Sequence, residues 1–228
     1  MNNILLLFNM SNSKTNTAAV KKFRDRAIRG QFRSAIKKNI NDEYIKFIKT
    51  DPDKKICESW YFIIGNHPFT KCEYTGELVG DDDEFKGGQF IGMIEAPPLN
   101  SDKLEWNFPF IPPNVTLYTP TGIFPINNSN FCISMGKFHA KDVRTGGTGY
   151  SPCINMIGFI RQIISSMMFW KDLGKGIRLM VSYHNEEEKN KICENIRTAS
   201  RQSIAYNLKH HKKILDLFMK ADHYKSLH

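Results

Sequence analysis

Residues 112–132 limit the possible folds more than any other stretch of the chain. The Pro112-Pro113 pair restricts the entry to a run of β-branched and aromatic residues at 115–118, which predicts a short strand. A segment rich in proline, glycine and asparagine follows, which is typical of an irregular loop, and a single cysteine, Cys132, ends it. Functional groups are often carried on loops beside rigid strands, and a thiolate is a strong nucleophile, so Cys132 is a candidate catalytic residue.

The alternative is that Cys132 is a small buried hydrophobic residue, which is the commoner role of an isolated cysteine. The chain has five cysteines, an odd number, and no CxxC pair that would indicate a zinc site or a redox couple. We therefore expect free thiols, no metal or cofactor, and a reducing compartment, either the cytosol or the nucleus.

The length of 228 residues, with 41% hydrophobic residues, predicts one domain at residues 17–228 after a flexible arm at residues 1–16. No stretch has the features of a signal peptide or a membrane span, so we expect neither. The net charge of +9 is compatible with a nucleic acid, an acidic membrane surface or an acidic protein face as partner. A nucleic-acid partner would rest on charge alone, so we expect none.

Apolar residues recur every four positions between Ile28 and Ile48, which predicts an amphipathic helix from Thr17 to Lys49, or two helices broken near Gly30. Asp51-Pro52 is expected to end it, because the residue before a proline disfavours helical backbone. The predicted polar face is strongly basic and consists of Lys21, Lys22, Arg24, Arg26, Arg29, Arg33, Lys37 and Lys38.

The rest of the chain predicts four strands, with helices after the last of them. The predicted strands cover residues 60–64, 71–79, 89–94 and 115–118, and the predicted helices cover residues 153–170, 186–201 and 202–221. Ser151-Pro152 marks the start of the first of these helices, and Asn185 is the expected N-cap of the second.

Five motifs occur in a recognisable order. They are Asp51-Pro52 with Ile56-Cys57, Phe108-Pro109-Phe110-Ile111-Pro112-Pro113, Thr119-Pro120-Thr121-Gly122-Ile123-Phe124, Phe131-Cys132-Ile133-Ser134 and Gln202-Ser203-Ile204-Ala205-Tyr206-Asn207-Leu208-Lys209. Together they resemble ubiquitin-conjugating enzymes, closest to the endoplasmic-reticulum-associated J subfamily but without its membrane tail. The resemblance implies an α/β (α+β) fold with an N-terminal helix, a four-stranded antiparallel meander and C-terminal helices.

The resemblance also implies a reaction. Cys132 would accept the C terminus of ubiquitin as a thioester from an activating enzyme and pass it to a lysine, serine or threonine acceptor, with or without a ligase. The asparagine that the family associates with the oxyanion is replaced here by Thr121. Either Thr121 is a partial substitute, or one of the asparagines at 127, 128 and 130 takes the role. The implied catalytic residues are Cys132, Thr121, Asn128 and His139.

Family geometry further implies that the first helix contacts the activating enzyme and that RING-type ligases contact this helix and two nearby loops. The implied partner-binding residues are Arg29, Arg33, Pro109, Phe110 and Pro152. A second hypothesis is a catalytically weak or inactive module of the same fold that binds ubiquitin or a ligase. The retained Cys132 argues against this second hypothesis, and Thr121 argues for it.

Overall fold

The computed structural model describes residues 17–39, 45–65, 84–100, 102–127, 150–168, 170–173 and 183–221. The elements follow in the order α1 (Thr17–Asn39), β1 (Ile45–Lys49), β2 (Ser59–Gly65), β3 (Gln89–Glu95), a 3-10 helix (Leu104–Trp106), β4 (Asn114–Leu117), α2 (Met156–Met168), α3 (Trp170–Leu173), α4 (Glu186–His210) and α5 (Lys212–Lys220). The predicted arm at residues 1–16 and the predicted strand at residues 71–79 lie outside the described residues, so both stay predictions.

Helix α1 is continuous through Gly30 and ends at Asn39, so the predicted extension of the helix to Lys49 is wrong. Its buried face follows helical spacing, with Val20, Arg24, Ile28 and Ala35 turned to the core. Gly30 lies on the exposed side, where its lack of a side chain disturbs no packing.

Residues 45–49 form strand β1, which pairs antiparallel with β2 and places Ile45 opposite Ile64 and Phe47 opposite Phe62. The ring centroids of Phe47 and Phe62 are 6.3 Å apart. An apolar spacing of four residues is shared by one face of a helix and one face of a strand, so the spacing alone does not separate the two. The β-branched and aromatic residues of this segment and the pairing with β2 decide for the strand.

The four strands are hydrogen-bonded in the order β1-β2-β3-β4, and every pair is antiparallel. One face of the sheet carries the large buried side chains Trp60, Phe62, Ile64, Phe90 and Ile94, which pack in the main core with residues of α1, α2 and α4. The predicted fold class, an N-terminal helix, a four-stranded antiparallel meander and C-terminal helices, is therefore confirmed.

The C-terminal helices differ from the predicted bounds. Helix α2 begins at Met156 rather than at residue 153, because the Asn155 side chain accepts a hydrogen bond from the Gly158 N–H at 2.8 Å and so caps the first turn. Asn185 caps α4 as predicted, since its side chain accepts from the Glu188 N–H at 2.8 Å. Helix α4 then continues past the predicted boundary at residue 201 and ends at His210.

Helix α5 covers the second face of the sheet. Phe218 is fully buried against Ile63 and Ile91, and Ile214 and Leu215 pack at the edge of the same cluster. Helices therefore lie on both faces of the sheet. Within the described ranges, no helix combines the length and the apolar composition that a membrane crossing requires.

Candidate functional site

The loop after β4 leads towards the predicted nucleophile and is anchored to the sheet at both of its ends. At its start, the Tyr118 N–H donates to the Ile91 carbonyl at 2.8 Å. At its end, the Asn127 N–H donates to the Leu117 carbonyl at 2.8 Å, and Asn127 has a positive φ of 56°. We call residues 118–127 the anchored loop. Asn127 is the last described residue before Cys132.

Thr121 lies inside the anchored loop with 0% of its surface exposed. Its hydroxyl oxygen accepts hydrogen bonds from the Phe124 N–H at 2.9 Å and from the Ile123 N–H at 3.3 Å. Because buried N–H groups need acceptors, Thr121 holds the turn of this loop in place. The predicted contribution of Thr121 to oxyanion stabilisation stays a prediction, and the structure adds a structural role that the sequence motif did not indicate.

Gly122 brings the anchored loop against helix α4. Its φ is +83°, a conformation that glycine adopts without strain, and a Cβ atom at this position would lie 2.7 Å from the Cα of Ile196 and 2.8 Å from its nitrogen. The neighbouring side chains of Ile123 and Phe124 are buried in the main core. The loop is therefore packed onto α4 by backbone contact, which only glycine permits here.

A buried polar cluster joins α4 to the sheet beside the anchored loop. The Asn207 side-chain amide donates to the Gln89 carbonyl at 2.9 Å, and its oxygen accepts from the Thr119 hydroxyl at 2.5 Å. The Thr119 hydroxyl accepts in turn from the Ile91 N–H at 2.9 Å, and Ser203 accepts from the Gln89 N–H at 2.9 Å. These positioning residues were missed by the sequence analysis. The sequence offered one indication of them: Ser203 and Asn207, in the motif at residues 202–209, are polar residues four positions apart and so share one face of the helix.

The predicted catalytic residues Cys132, Asn128 and His139 lie outside the described residues, and their roles stay predictions. The described cysteines are all free thiols. Cys57 and Cys193 are buried, and Cys153 is exposed. Burial raises the pKa of the Cys193 thiol, and the nearby Glu84 carboxylate raises it further, which keeps this thiol protonated and unreactive. Among the described residues, Cys153 is therefore the thiol against which Cys132 must be tested. The described part of the chain contains no group of three or more side chains arranged to hold a metal ion.

Of the predicted partner-binding residues, Arg29 and Arg33 lie on helix α1, and Phe110 contacts it. The rings of Phe23 and Phe110 stack with centroids 6.0 Å apart, and the peptide bond between Phe108 and Pro109 is cis. The Gln31 side chain accepts a hydrogen bond from the Met156 N–H at 2.9 Å, which ties α1 to the start of α2. Pro152 is exposed just before that helix. Helix α1 therefore contacts the Phe110 loop directly, and it contacts the start of α2 four residues after Pro152.

Arg24 is the exception among the basic residues of α1, because the prediction that it lies on the polar face is wrong. It is 2% exposed, its Nη1 contacts the Glu58 carboxylate at 2.5 Å, and its Nε and Nη2 donate to the Pro97 carbonyl at 3.1 and 2.6 Å. Its long side chain reaches carbonyl groups at the end of the sheet, which a shorter residue on the same face could not reach. Arg24 thus holds α1 against the end of the sheet and is not a partner-binding residue.

Arg29 and Arg33 line a pocket beside Phe32, whereas the Phe110 loop contacts Phe23. Phe23 and Phe32 are about two and a half helical turns apart and so point in opposite directions; Phe23 stacks on Phe110, and Phe32 stacks on Trp60 with centroids 5.6 Å apart. Beside Phe32 is a pocket of about 290 Å³. We call it the basic pocket, and it is lined by Ile28, Arg29, Phe32, Arg33, Lys49, Lys55, Cys57 and Trp60.

Comparison with known proteins relates the chain to ubiquitin-conjugating enzymes. No family model matches the chain. Ubiquitin-conjugating enzyme E2 6 of Schizosaccharomyces pombe is 27% identical over 97 residues, which make up 42% of this chain and 33% of that protein. Probable ubiquitin-conjugating enzyme E2 33 of Arabidopsis thaliana is 29% identical over 84 residues, covering 37% of this chain and 28% of that protein. Ubiquitin-conjugating enzyme E2 34 of Arabidopsis thaliana is 25% identical over 120 residues, covering 53% and 44%.

The chain thus spans less than half the length of these curated relatives. A crystal structure of a ubiquitin conjugating enzyme E2 from Plasmodium falciparum aligns over 62% of this chain and 94% of that chain, with 19% identity and a TM-score of 0.37. The sequence similarities support a general relationship to the ubiquitin-conjugating enzyme E2 family.

Proposed function

We propose that the protein is a ubiquitin-conjugating enzyme that carries ubiquitin as a thioester on Cys132. The observation that carries this proposal is the sequence similarity to several enzymes of that name. The motif Phe131-Cys132-Ile133-Ser134 supplies the nucleophile. All of these relatives are named as conjugating enzymes, which does not favour the alternative of an inactive binding module.

The proposed reaction has two acyl transfers. In the first, the Cys132 thiolate attacks the carbonyl carbon of the thioester between the activating enzyme and ubiquitin, and the thiolate of the activating enzyme leaves. In the second, a lysine amine or a serine or threonine hydroxyl attacks the Cys132 thioester, loses its proton to a base, and releases the Cys132 thiolate. Both steps pass through a tetrahedral oxyanion, which a hydrogen-bond donor stabilises. We assign the donor to Thr121 or Asn128, and the orientation or deprotonation of the acceptor to His139.

The proposed partners are ubiquitin, an activating enzyme and a RING-type ligase. The basic residues of α1, including Arg29 and Arg33, are assigned to the activating enzyme, and Pro109, Phe110 and Pro152 to the ligase. The contact of Phe23 with Phe110 supports this assignment, because it holds the Phe110 loop against α1, and the hydrogen bond of Gln31 with Met156 holds the start of α2, four residues after Pro152, against the same helix. The J-subfamily motifs support placement near that subfamily, and three free thiols support a reducing compartment, the cytosol or the nucleus.

The test is a loading reaction with activating enzyme, ATP and ubiquitin, analysed by electrophoresis with and without reducing agent. The wild-type chain is expected to form an adduct that a thiol reductant removes. The Cys132→Ser variant should form a reductant-resistant ester or no adduct. Cys153→Ser is the matched control, because it removes the exposed described thiol and should load like the wild type.

An undiminished thioester in Cys132→Ser, together with its loss in Cys153→Ser, would contradict the proposal and assign the thioester to Cys153. No adduct in any variant, from chains that remain folded by circular dichroism, would contradict conjugating activity. Binding of ubiquitin or a RING domain without any adduct would instead favour the inactive module.

A further inference from the structure

The basic pocket concentrates positive charge in a small volume. Four cationic side chains, those of Arg29, Arg33, Lys49 and Lys55, line a space of about 290 Å³. Of the residues that the structure describes, no aspartate or glutamate lines it. Of the described carboxylates near Lys55 in sequence, Glu58 contacts Arg24, Asp51 contacts Lys54, and Asp53 is exposed and does not line the pocket. The positive charge of the pocket is therefore not balanced by its described walls.

The polar atoms that the side chains present to the basic pocket are almost all donors. Guanidinium and ammonium groups only donate. The one described side-chain atom that can accept, the Cys57 sulfur, already lies 2.9 Å from the Ser59 carbonyl and 3.5 Å from the Thr50 hydroxyl. A complementary ligand must consequently supply several acceptors and more than one negative charge.

Trp60 forms part of the wall of the basic pocket. The residue is 1% exposed, and its indole Nε1 is itself buried, so we count no donor from Trp60 among the groups that a ligand can reach. The four cationic side chains therefore supply the donors of the pocket, and Trp60 lies beside them as a probe of its occupancy.

We propose that the basic pocket is a binding site for a small ligand that carries phosphate groups. A phosphate monoester carries a charge of about −1.5 to −2 near pH 7 and has three strong acceptor oxygens, which match the donors and the charge of the pocket better than a single carboxylate does. Arginine forks bind phosphate oxygens in pairs, and Arg29 and Arg33, one helical turn apart, present two such forks to one space. The volume suits a diphosphate group or a phosphorylated ring rather than a folded partner.

The proposal does not depend on conjugating activity, and its test does not use ubiquitin. The wild-type full-length chain is titrated with sodium pyrophosphate by calorimetry and by NMR of the three tryptophan indole N–H groups. The Trp60 resonance is assigned as the one that is missing from Trp60→Phe. Pyrophosphate is expected to bind and to shift the Trp60 resonance, because Trp60 lines the pocket, while the Trp106 and Trp170 resonances stay in place and report that the fold is intact.

Two double variants with equal loss of charge separate the pocket from the basic helix as a whole. Arg29→Gln with Arg33→Gln removes both forks from the pocket and should weaken pyrophosphate binding by at least about tenfold, because charge-assisted hydrogen bonds are lost. Lys22→Gln with Arg26→Gln removes two charges from the same helix outside the pocket and should weaken binding by less than about threefold, since exposed charges are screened. Citrate at matched ionic strength tests whether carboxylates bind as well.

Three results would overturn the proposal: no pyrophosphate binding to the wild type, equal weakening in both double variants, or citrate binding as tightly as pyrophosphate. Sedimentation with phosphatidylcholine vesicles, with and without phosphatidylinositol 4,5-bisphosphate, identifies the source of the phosphate. Sedimentation that depends on the phosphoinositide and is lost in the Arg29 and Arg33 double variant assigns a lipid headgroup. Pyrophosphate binding without sedimentation assigns a soluble phosphate ester.

Discussion

Two roles meet at Thr121: a structural role in the turn of the anchored loop, and the proposed role in oxyanion stabilisation. Its hydroxyl holds the turn of the anchored loop by accepting from the N–H groups of Ile123 and Phe124, and it stands where the resembled motif has asparagine. An asparagine side chain also has an oxygen that can accept from the N–H groups two and three residues on, and it adds an amide donor. The two roles can therefore be separated by substitution.

For stability, Thr121→Val is expected to lower the free energy of unfolding by about 1–3 kcal/mol, because two buried N–H groups lose their acceptor. Thr121→Ser is the control and should remain close to the wild type. Thr121→Asn should also keep the turn, and it should speed discharge of the Cys132 thioester to free lysine by roughly 10- to 1000-fold if this position faces the oxyanion. Urea unfolding and single-turnover discharge measure the two effects. Equal stability of the valine variant would contradict the structural role, and unchanged discharge in the asparagine variant would favour Asn128.

Arg24 shows how a charged residue acts inside a core. Arg24→Met keeps most of the apolar stem but removes the donors to the Pro97 carbonyl and the ion pair with Glu58, so we expect a loss of about 1.5–3 kcal/mol in the free energy of unfolding. Arg26→Met, on the exposed side of the same helix, should change stability by less than about 0.5 kcal/mol. Urea unfolding of the two variants makes the comparison, and similar values for both would contradict the role of Arg24.

At the scale of elements, α5 is joined to α4 by His211, whose N–H donates to the Asn207 carbonyl at 2.8 Å. The His211 ring lies among the rings of Tyr118, Tyr206 and His210, at centroid distances of 5.7, 5.6 and 6.4 Å. Burial lowers the pKa of His211, and the nearby His210 lowers it further, whereas a hydrogen bond to Tyr118 opposes the shift. Burial also raises the pKa of Tyr118 to about 12, so this hydroxyl stays neutral and supplies no charge to offset a His211 cation.

The docking of α5 is consequently expected to weaken in acid. Because the pKa of His211 is lower in the folded state than in the unfolded state, the unfolded state takes up the proton first. The contribution of neutral His211 to stability is complete above the ordinary histidine pKa of about 6.5, and it is lost as the pH falls through the lower pKa that His211 has in the folded state. Hydrogen exchange of the α5 amides between pH 7.5 and 5 measures this loss. His211→Gln should remove much of the pH dependence, and His210→Gln should retain it. A pH dependence that survives in His211→Gln would assign it to another group.

At the scale of the whole molecule, the net charge of +9 includes a basic stripe on α1 formed by the exposed Lys22, Arg26 and Arg33 and the half-buried Arg29. Under the proposed function, reversing three of these charges (Arg26→Glu, Arg29→Glu and Arg33→Glu) should slow ubiquitin loading and flatten its dependence on salt, because exposed charges act mainly on the association rate. Initial loading rates at several ionic strengths measure the effect. The control reverses Lys209, Lys212 and Lys213 on α4 and α5, and equal slowing there would indicate a general charge effect rather than a contact.

Local sequence patterns determined most of the secondary structure of this protein. Strands β2, β3 and β4 and helices α1, α2 and α4 were predictable within a few residues, except at the C-terminal ends of α1 and α4 and the start of α2, because their apolar periodicity, caps and proline boundaries are properties of neighbouring residues. The motifs around Thr121 and Cys132 likewise indicated the candidate site directly.

Contacts between distant residues decided the rest. Residues 45–49 form a strand because they pair with β2. The apolar spacing of this segment fits a helix and a strand equally well, so it could not predict the pairing. Arg24 became a core residue because Pro97 and Glu58 lie within its reach, and Thr121 became part of a buried turn because Gly122 lets the loop touch Ile196. The basic pocket exists only where α1 meets the turn between β1 and β2. Each of these depends on side chains that folding brings together, and periodicity carries no information about such distances.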